Sequence, residues 1–355
     1  MTPRGLVLSV AGLIGLLLAA PSVMAQTSRA DSAKSYMERG NAWLKKGDLE
    51  HAISDFDLAI ATDQRLAAAW YNRGLARYHQ GDSAGALHDY NQALQLAPRH
   101  VGTLLNRGVI FFEQGDFSAA RRDFDAVIEI NPRHAWAYLN RGIVYAQVGA
   151  AANALADFTQ AIKLDRRLHE AWSSRCGVDV QQGQLAAARA DCEQALKLAP
   201  DNTGALVNRG NLRQVQGDLD GALADFSRAL ALAPRMASLW NNRGRVWLLK
   251  DDYERALGDL NRALELDPQL PEVWDNRARV WFSRGEYTRA LADFDQALQL
   301  NPRFAAALAG RGVTYLRAGR LTEADADFAR CRTLSGSLPP YAEAAWRAAQ
   351  ERPRK

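Results

Sequence analysis

Residues 70–98 read WYNRGLARYHQGDSAGALHDYNQALQLAP and predict two helices joined by a turn. Side chains three or four positions apart form one stripe in each half of this stretch, which is the spacing of a helical face. The first stripe comprises Trp70, Arg73, Gly74 and Arg77, and the second comprises Ala86, Asp89, Tyr90 and Ala93. Gly81-Asp82 separates the stripes and is typical of a turn. Pro98 ends the second helix because its ring forbids further helix.

The same pattern recurs with a strict period of 34 residues, and nine copies fill residues 33–338. We call a set of positions 34 residues apart a column. The arginine column is Arg39, Arg73, Arg107, Arg141, Arg175, Arg209, Arg243, Arg277 and Arg311. The aspartate column is Asp55, Asp89, Asp123, Asp157, Asp191, Asp225, Asp259, Asp293 and Asp327. One such unit cannot bury its own apolar face, so stacked neighbours are expected to share a core.

A glycine column in the first helices indicates close packing within each hairpin. Glycine inside a helix costs ~1 kcal/mol relative to alanine, so its recurrence needs a structural reason. We expect these glycines to let the two helices approach closely, with bulky residues of the second helix filling the space around the contact. The glycines are Gly40, Gly74, Gly108, Gly142, Gly210, Gly244 and Gly312, and the bulky residues are Phe56, Tyr90, Phe124, Phe158, Phe226, Phe294 and Phe328.

The run Trp70-Tyr71-Asn72-Arg73-Gly74, with Gly81-Asp82, Ala86, Tyr90, Ala93 and Pro98 after it, resembles the tetratricopeptide repeat. The resemblance covers residues 33–338. It implies an all-α fold, a right-handed superhelix of nine helix-turn-helix units whose first helices line a concave groove for peptide-like segments. It does not identify the partner.

The segments outside the repeats are short. Pro339-Pro340 introduce a helical pattern, so residues 339–350 are predicted to form a capping helix, with a basic tail at 351–355. Residues 1–25 are predicted to be a signal peptide, because Arg4 precedes an apolar run and Val23-Met24-Ala25 suits cleavage after Ala25. Residues 26–32 then form a short lead. This pattern predicts a periplasmic or extracellular protein with no membrane span in the mature chain; an uncleaved anchor is the alternative.

Composition and motifs argue against several classes of function. Lys plus Arg number 44 and Asp plus Glu number 40, a balance too even to suggest nucleic-acid binding. The six histidines and three cysteines lack metal-site spacing, and neither a nucleophile elbow nor a phosphate or dinucleotide loop occurs. We therefore expect no enzyme activity, no cofactor and no metal.

The arginine and aspartate columns lie on inward stripes, where charges must be compensated. We expect them to form a ladder of structural pairs, because a catalytic site occurs once and these residues occur nine times. The spacing leaves open whether each arginine meets the aspartate of its own copy or that of a neighbour.

An asparagine column is the candidate peptide-binding row. Its members lie two residues before the glycine column, a rotation of about 200° that directs them away from the second helix. They are Asn72, Asn106, Asn140, Asn208, Asn242 and Asn276. Carboxamides can bind an extended backbone, and Arg245 and Arg279, one turn further on, would favour an acidic or C-terminal carboxylate group. The alternative is that the asparagines only stabilise neighbouring repeats.

Cys176 and Cys192 replace the glycine and the bulky residue of the fifth copy. Because these two columns are expected to face each other, we predict a disulfide between them, with Cys331 left free. The alternative is two buried thiols.

These features favour a non-enzymatic scaffold that binds a peptide segment or a protein in its groove, in the cell envelope. The second hypothesis is an accessory subunit of an enzyme or assembly complex that binds through its convex face or its ends.

Overall fold

The computed structural model describes the backbone of residues 23–351 and the side chains of residues 31–351. In this part of the chain every element is an α-helix, nineteen in succession, which confirms the predicted array of helix hairpins. The predicted signal peptide lies outside the described residues except for its last three, with which the first helix begins. The chain divides into two compact units, one ending at Gln182 and the other starting at Gly183.

The first unit contains nine helices, of which α1 to α8 pair as four successive hairpins. They are α1 (Val23–Lys46), α2 (Leu49–Thr62), α3 (Ala67–Gln80), α4 (Ser83–Leu96), α5 (Val101–Glu113), α6 (Phe117–Ile130), α7 (Ala135–Gln147), α8 (Ala151–Leu164) and α9 (His169–Gln181). Odd-numbered helices are the first helices of the repeats, and even-numbered helices are the second ones.

The second unit contains ten helices and continues the same alternation. They are α10 (Leu185–Leu198), α11 (Thr203–Val215), α12 (Leu219–Leu232), α13 (Ala237–Leu249), α14 (Tyr253–Leu266), α15 (Pro271–Ser283), α16 (Tyr287–Leu300), α17 (Ala305–Arg317), α18 (Leu321–Ser335) and α19 (Pro340–Gln350). The last of these packs against α17.

The turn inside a hairpin follows from its glycine and aspartate. Gly81 ends α3 with φ +93°, a left-handed conformation that glycine adopts without strain. Asp82 then caps α4, its carboxylate accepting a hydrogen bond from the backbone N–H of Gly85 at 2.8 Å. In the seventh copy Asp251 stands in place of the glycine and still adopts φ +57°.

The glycine column does bring the two helices of each hairpin together. A Cβ on Gly74 would lie 2.7 Å from Cε1 of Tyr90, and one on Gly142 would lie 2.6 Å from Cε1 of Phe158. Both rings are buried at the centre of their hairpins. The absence of a side chain in the first helix is therefore what makes room for the ring of the second.

The structure also resolves how the charged columns pair. Arg141 donates from Nε and Nη2 to Asp157 of its own hairpin, at 2.7 Å each, and from Nη1 to Asp125 of the preceding hairpin at 2.7 Å. Pairing with the aspartate sixteen residues later recurs at Arg39, Arg73, Arg107, Arg209, Arg243, Arg277 and Arg311. The acceptor sixteen residues earlier is Asp57, Asn91, Thr159, Ser227, Asn261 or Asp295. The arginine and aspartate columns therefore pair within copies. The link to the preceding copy uses a separate position, two residues after its column aspartate.

Candidate peptide-binding groove

A cavity of about 490 Å³ opens on the first helices of the second unit. Two columns supply six of its thirteen lining residues. The first is Arg245, Arg279 and Val313, and the second is Gln214, Leu248 and Phe282. Because first helices stack side by side, residues 34 apart in sequence become neighbours around one space. Asp275, Asn276 and Tyr341 complete the polar part of the lining.

Arg245 is a half-buried cation held by neutral groups alone. Its Nη2 donates to Oε1 of Gln214 at 3.0 Å and to Oδ1 of Asn211 at 3.3 Å. Its Nε is buried and has no acceptor. Burial lowers the pKa of Arg245, but a guanidinium stays charged at physiological pH.

Arg279, the next member of that column, carries its own counter-ion. Its Nε donates to Oδ2 of Asp275 at 2.8 Å, and its Nη2 lies 3.3 Å from Oδ1 of the same carboxylate. Burial lowers the pKa of Arg279, but the charge of Asp275, its hydrogen bonding to Arg279 and the neighbouring Tyr341 together raise the pKa overall. The guanidinium carbon also lies 5.9 Å from the centre of the Tyr341 ring. The two arginines predicted to bind a carboxylate therefore differ in how much of their charge is already neutralised.

The members of the asparagine row differ in their exposure. Asn106 is fully buried, with Nδ2 3.4 Å from the hydroxyl of Tyr71, and Asn140 is 1% exposed with no hydrogen bond on either amide atom. Asn276 lines the cavity but is 9% exposed, and donates to Oδ1 of Asn241 at 2.8 Å. Asn106 and Asn140 therefore lack the accessibility that the predicted peptide-binding role requires, and Asn276 keeps little of it.

The other members of the row are half-buried. Asn72 donates to Oδ1 of Asn41 at 2.8 Å, a bond between consecutive first helices that fits the stabilising alternative. Asn208 and Asn242 are also partly accessible, on α11 and α13. Of the six asparagines, Asn276 is the member that shares the cavity with Arg245 and Arg279.

Sequence reasoning missed several residues that build this site. Asp275 precedes Arg279 by four positions, a spacing that places both on one side of a helix, and this signal was readable. The residue four before Arg245 is Asn241, which carries no charge. Gln214 and Tyr341, in contrast, come from neighbouring helices, so only stacking brings them to the cavity.

The cysteines lie outside this cavity. Cys176 in α9 and Cys192 in α10 are both buried and both disulfide-bonded. Cys331 in α18 is a buried free thiol, as predicted.

Among the helices from residue 23 to residue 351, none is long and apolar enough to cross a bilayer. Within the same range, no group of three or more His, Cys, Asp or Glu side chains is arranged to hold a metal ion.

Comparison with solved structures shows the same fold. PilF of Pseudomonas aeruginosa is 20% identical, with a TM-score of 0.52 over 58% of this chain and 94% of PilF. A chain of the Cut9–Hcn1 hetero-tetramer of the APC/C is 18% identical, with a TM-score of 0.63 over 85% of this chain and 59% of its own length. At these identities the likeness extends to the fold alone. No curated protein is significantly similar in sequence.

Family models of the tetratricopeptide repeat match five overlapping or adjacent parts of the chain. The matches cover residues 67–100, 108–149, 137–167 with 180–202, 207–271 and 246–310. They fall within the array of helix hairpins described above, and the last two contain the cavity residues from Gln214 to Gly310. The matched segments and their hairpins identify the chain as a tetratricopeptide repeat protein.

Proposed function

We propose that this protein is a non-enzymatic scaffold that binds an extended segment of a partner protein along its first helices. The cavity around Arg245 carries this proposal, since it combines an apolar wall with an uncompensated cation and lies on a face built from consecutive repeats. The volume is within the ~300–1,000 Å³ typical of ligand sites. The arginine and aspartate columns, the most obvious candidates for acid–base chemistry, pair with each other.

We also propose that the protein acts in the cell envelope, on the strength of the charged start, apolar run and cleavage junction in residues 1–25. N-terminal sequencing of protein from the extracytoplasmic fraction is expected to begin at Gln26. An intact Met1 in a membrane pellet would instead support the anchor.

Site-specific crosslinking tests which face binds. A photoreactive amino acid at Ser283, which is exposed and lines the cavity, is compared with one at Ala231, which is exposed on the second helix α12. Crosslinking in intact cells followed by mass spectrometry is expected to join a partner peptide to position 283. Crosslinks at 231 alone would support the accessory subunit that binds away from the groove.

A further inference from the structure

Arg245 and Arg279 occupy the same position in consecutive repeats but present different charge to a ligand. The Asp275 carboxylate, 5% exposed, binds Arg279 through two hydrogen bonds. The residue that corresponds to Asp275 one repeat earlier is Asn241, so Arg245 has no such counter-ion. In the part of the chain that the structure describes, no carboxylate forms an ion pair with Arg245.

One positive charge is therefore available in the cavity, rather than two. A half-buried guanidinium without a counter-ion attracts a carboxylate strongly, because charge-assisted hydrogen bonds gain strength where water is largely excluded. A second carboxylate near Arg279 would meet Asp275 instead, and like charges at short range in a poorly solvated site repel.

We propose that Asp275 determines the specificity of the cavity, restricting it to a partner segment that places a single carboxylate at Arg245. This inference rests on the function proposed above. Leu248, Leu249 and Phe282 form the apolar wall beside Arg245, so the carboxylate is accompanied by a bulky apolar side chain. The cavity extends on both sides of Arg245, to Gln214 on α11 and to Phe282 on α15. The chain therefore continues past Arg245 in both directions, and the carboxylate is that of an internal aspartate or glutamate.

The test begins with selection from a library of random 12-residue peptides. Each peptide is fused through its C-terminus to a carrier protein, so none has a free terminal carboxylate. The bait is the wild-type protein, and Ser283→Trp, which fills the cavity from an exposed position, is the counter-selection. Selected peptides are then synthesised with blocked ends in three forms: with one acidic residue, with that residue as its amide, and with a second acidic residue beside the first. In a fourth form the peptide ends at this position. An apolar residue replaces the acidic one, and its free C-terminal carboxylate supplies the negative charge.

Affinities are measured for the wild type, Arg245→Gln and Asp275→Asn. The matched control is Arg228→Gln, which removes the same charge from an exposed pair on α12. For the wild type, converting the acid to its amide is expected to weaken binding about 10-fold or more. Arg245→Gln is expected to bind the acidic peptide more weakly by the same factor and to bind the acidic and amide forms equally. Arg228→Gln is expected to retain wild-type affinity for both. Thermal unfolding checks that each variant is folded.

The second acidic residue distinguishes this inference from simple charge attraction. It is expected to give no gain with the wild type and about a 10-fold gain with Asp275→Asn, in which Arg279 is released. An equal gain in both proteins would overturn the role of Asp275, and tighter binding of the form with a free C-terminus would overturn the internal carboxylate. Selected peptides without acidic residues would sink the inference but leave the scaffold function intact. A library with no peptide sensitive to Ser283→Trp would remove both.

Discussion

A Cβ atom on Gly108 would lie 2.7 Å from Cε1 of Phe124, closer than carbon atoms pack without movement. The ring is fully buried at the centre of the hairpin α5–α6. We predict that Gly108→Ala lowers the free energy of unfolding by about 1–3 kcal/mol through this overlap, despite the higher helix propensity of alanine. Denaturant unfolding followed by circular dichroism measures the change.

Gly258→Ala is the matched control, since Gly258 lies inside α14 with no atom within 4 Å of an added Cβ. Here propensity acts alone, and a gain of about 0.5–1 kcal/mol is expected. An equal change in the free energy of unfolding at the two sites would contradict the interpretation that the glycine column is required to leave room for the ring.

The first unit is predicted to lose stability as the pH falls below about 6.5. His100 and His134 cap α5 and α7, where Nδ1 accepts hydrogen bonds from the N–H groups of Thr103 at 3.2 Å and Ala137 at 3.3 Å. Only an unprotonated Nδ1 can accept, and burial lowers the pKa of both histidines. The folded state thus binds fewer protons than the unfolded state between the lowered pKa and about 6.5, so stability falls with pH across that window.

The control is the double variant His100→Asn with His134→Asn. Asn202 occupies the same column and caps α11 with an oxygen that does not titrate, 2.7 Å from the N–H of Ala205. Melting temperatures measured from pH 7 to pH 5 are expected to fall less in the double variant. An equal fall of the melting temperature in the wild type and the double variant would show that titratable groups other than His100 and His134 cause the effect.

Substitution of Asn140 is predicted to change stability, whereas substitution of Asn242 is predicted to change peptide affinity. Both amide atoms of Asn140 are buried without a partner, so Asn140→Leu removes an uncompensated polar group and should raise stability by about 1–2 kcal/mol. Asn242→Ala, at a half-buried site, should barely change stability but weaken a groove-bound peptide several-fold. Unfolding and peptide titration are run together; a loss of stability in Asn140→Leu would reveal a bound water at that amide.

We predict that Cys176 and Cys192 are joined to each other. A digest without reductant is expected to contain one disulfide-linked peptide pair with these two residues, and Cys331 should react with iodoacetamide only after unfolding. Reduction should lower stability by ~3 kcal/mol on the chain-entropy estimate. Cys331→Ala should leave the digest pattern unchanged, and a linkage that includes Cys331 would refute the pairing.

Arg141→Gln is predicted to cost about 3–5 kcal/mol, because it leaves the buried carboxylate of Asp157 without its partner. Arg121→Gln serves as control: Arg121 forms an exposed pair with Asp125 at 4.0 Å, which should contribute under about 1 kcal/mol. Chemical denaturation measures the free energy of unfolding of both variants. A similar loss in the two would show that the effect comes from the change in net charge and not from the pairing of Arg141 with Asp157.

The sequence was sufficient to predict the hairpin and its internal packing, since both repeat at fixed offsets. The period placed the turn at Gly81-Asp82 and set Gly74 against Tyr90 correctly. The pairing of Arg141 could not be derived, because the spacing allows the column aspartate of its own copy or of a neighbour. The second acceptor, Asp125, lies outside the aspartate column altogether.

The site was harder to predict because it depends on packing between hairpins. A helical wheel directs Asn140 away from its own second helix, but it contains no information about the neighbouring hairpins, and in the stacked array the amide is buried. Arg245 and Arg279 look alike along their column. Their difference depends on Asp275 and Asn241, two residues outside that column.

The ladder makes each hairpin compatible with a neighbour other than its own. An arginine such as Arg107 needs only an oxygen on the preceding second helix, and aspartate, asparagine, threonine and serine all serve in different copies. A block of 34 residues can therefore be duplicated or lost in evolution while each junction keeps its bond. Evolution can therefore change the distance between two binding positions by one hairpin at a time, while the contacts in the core stay the same.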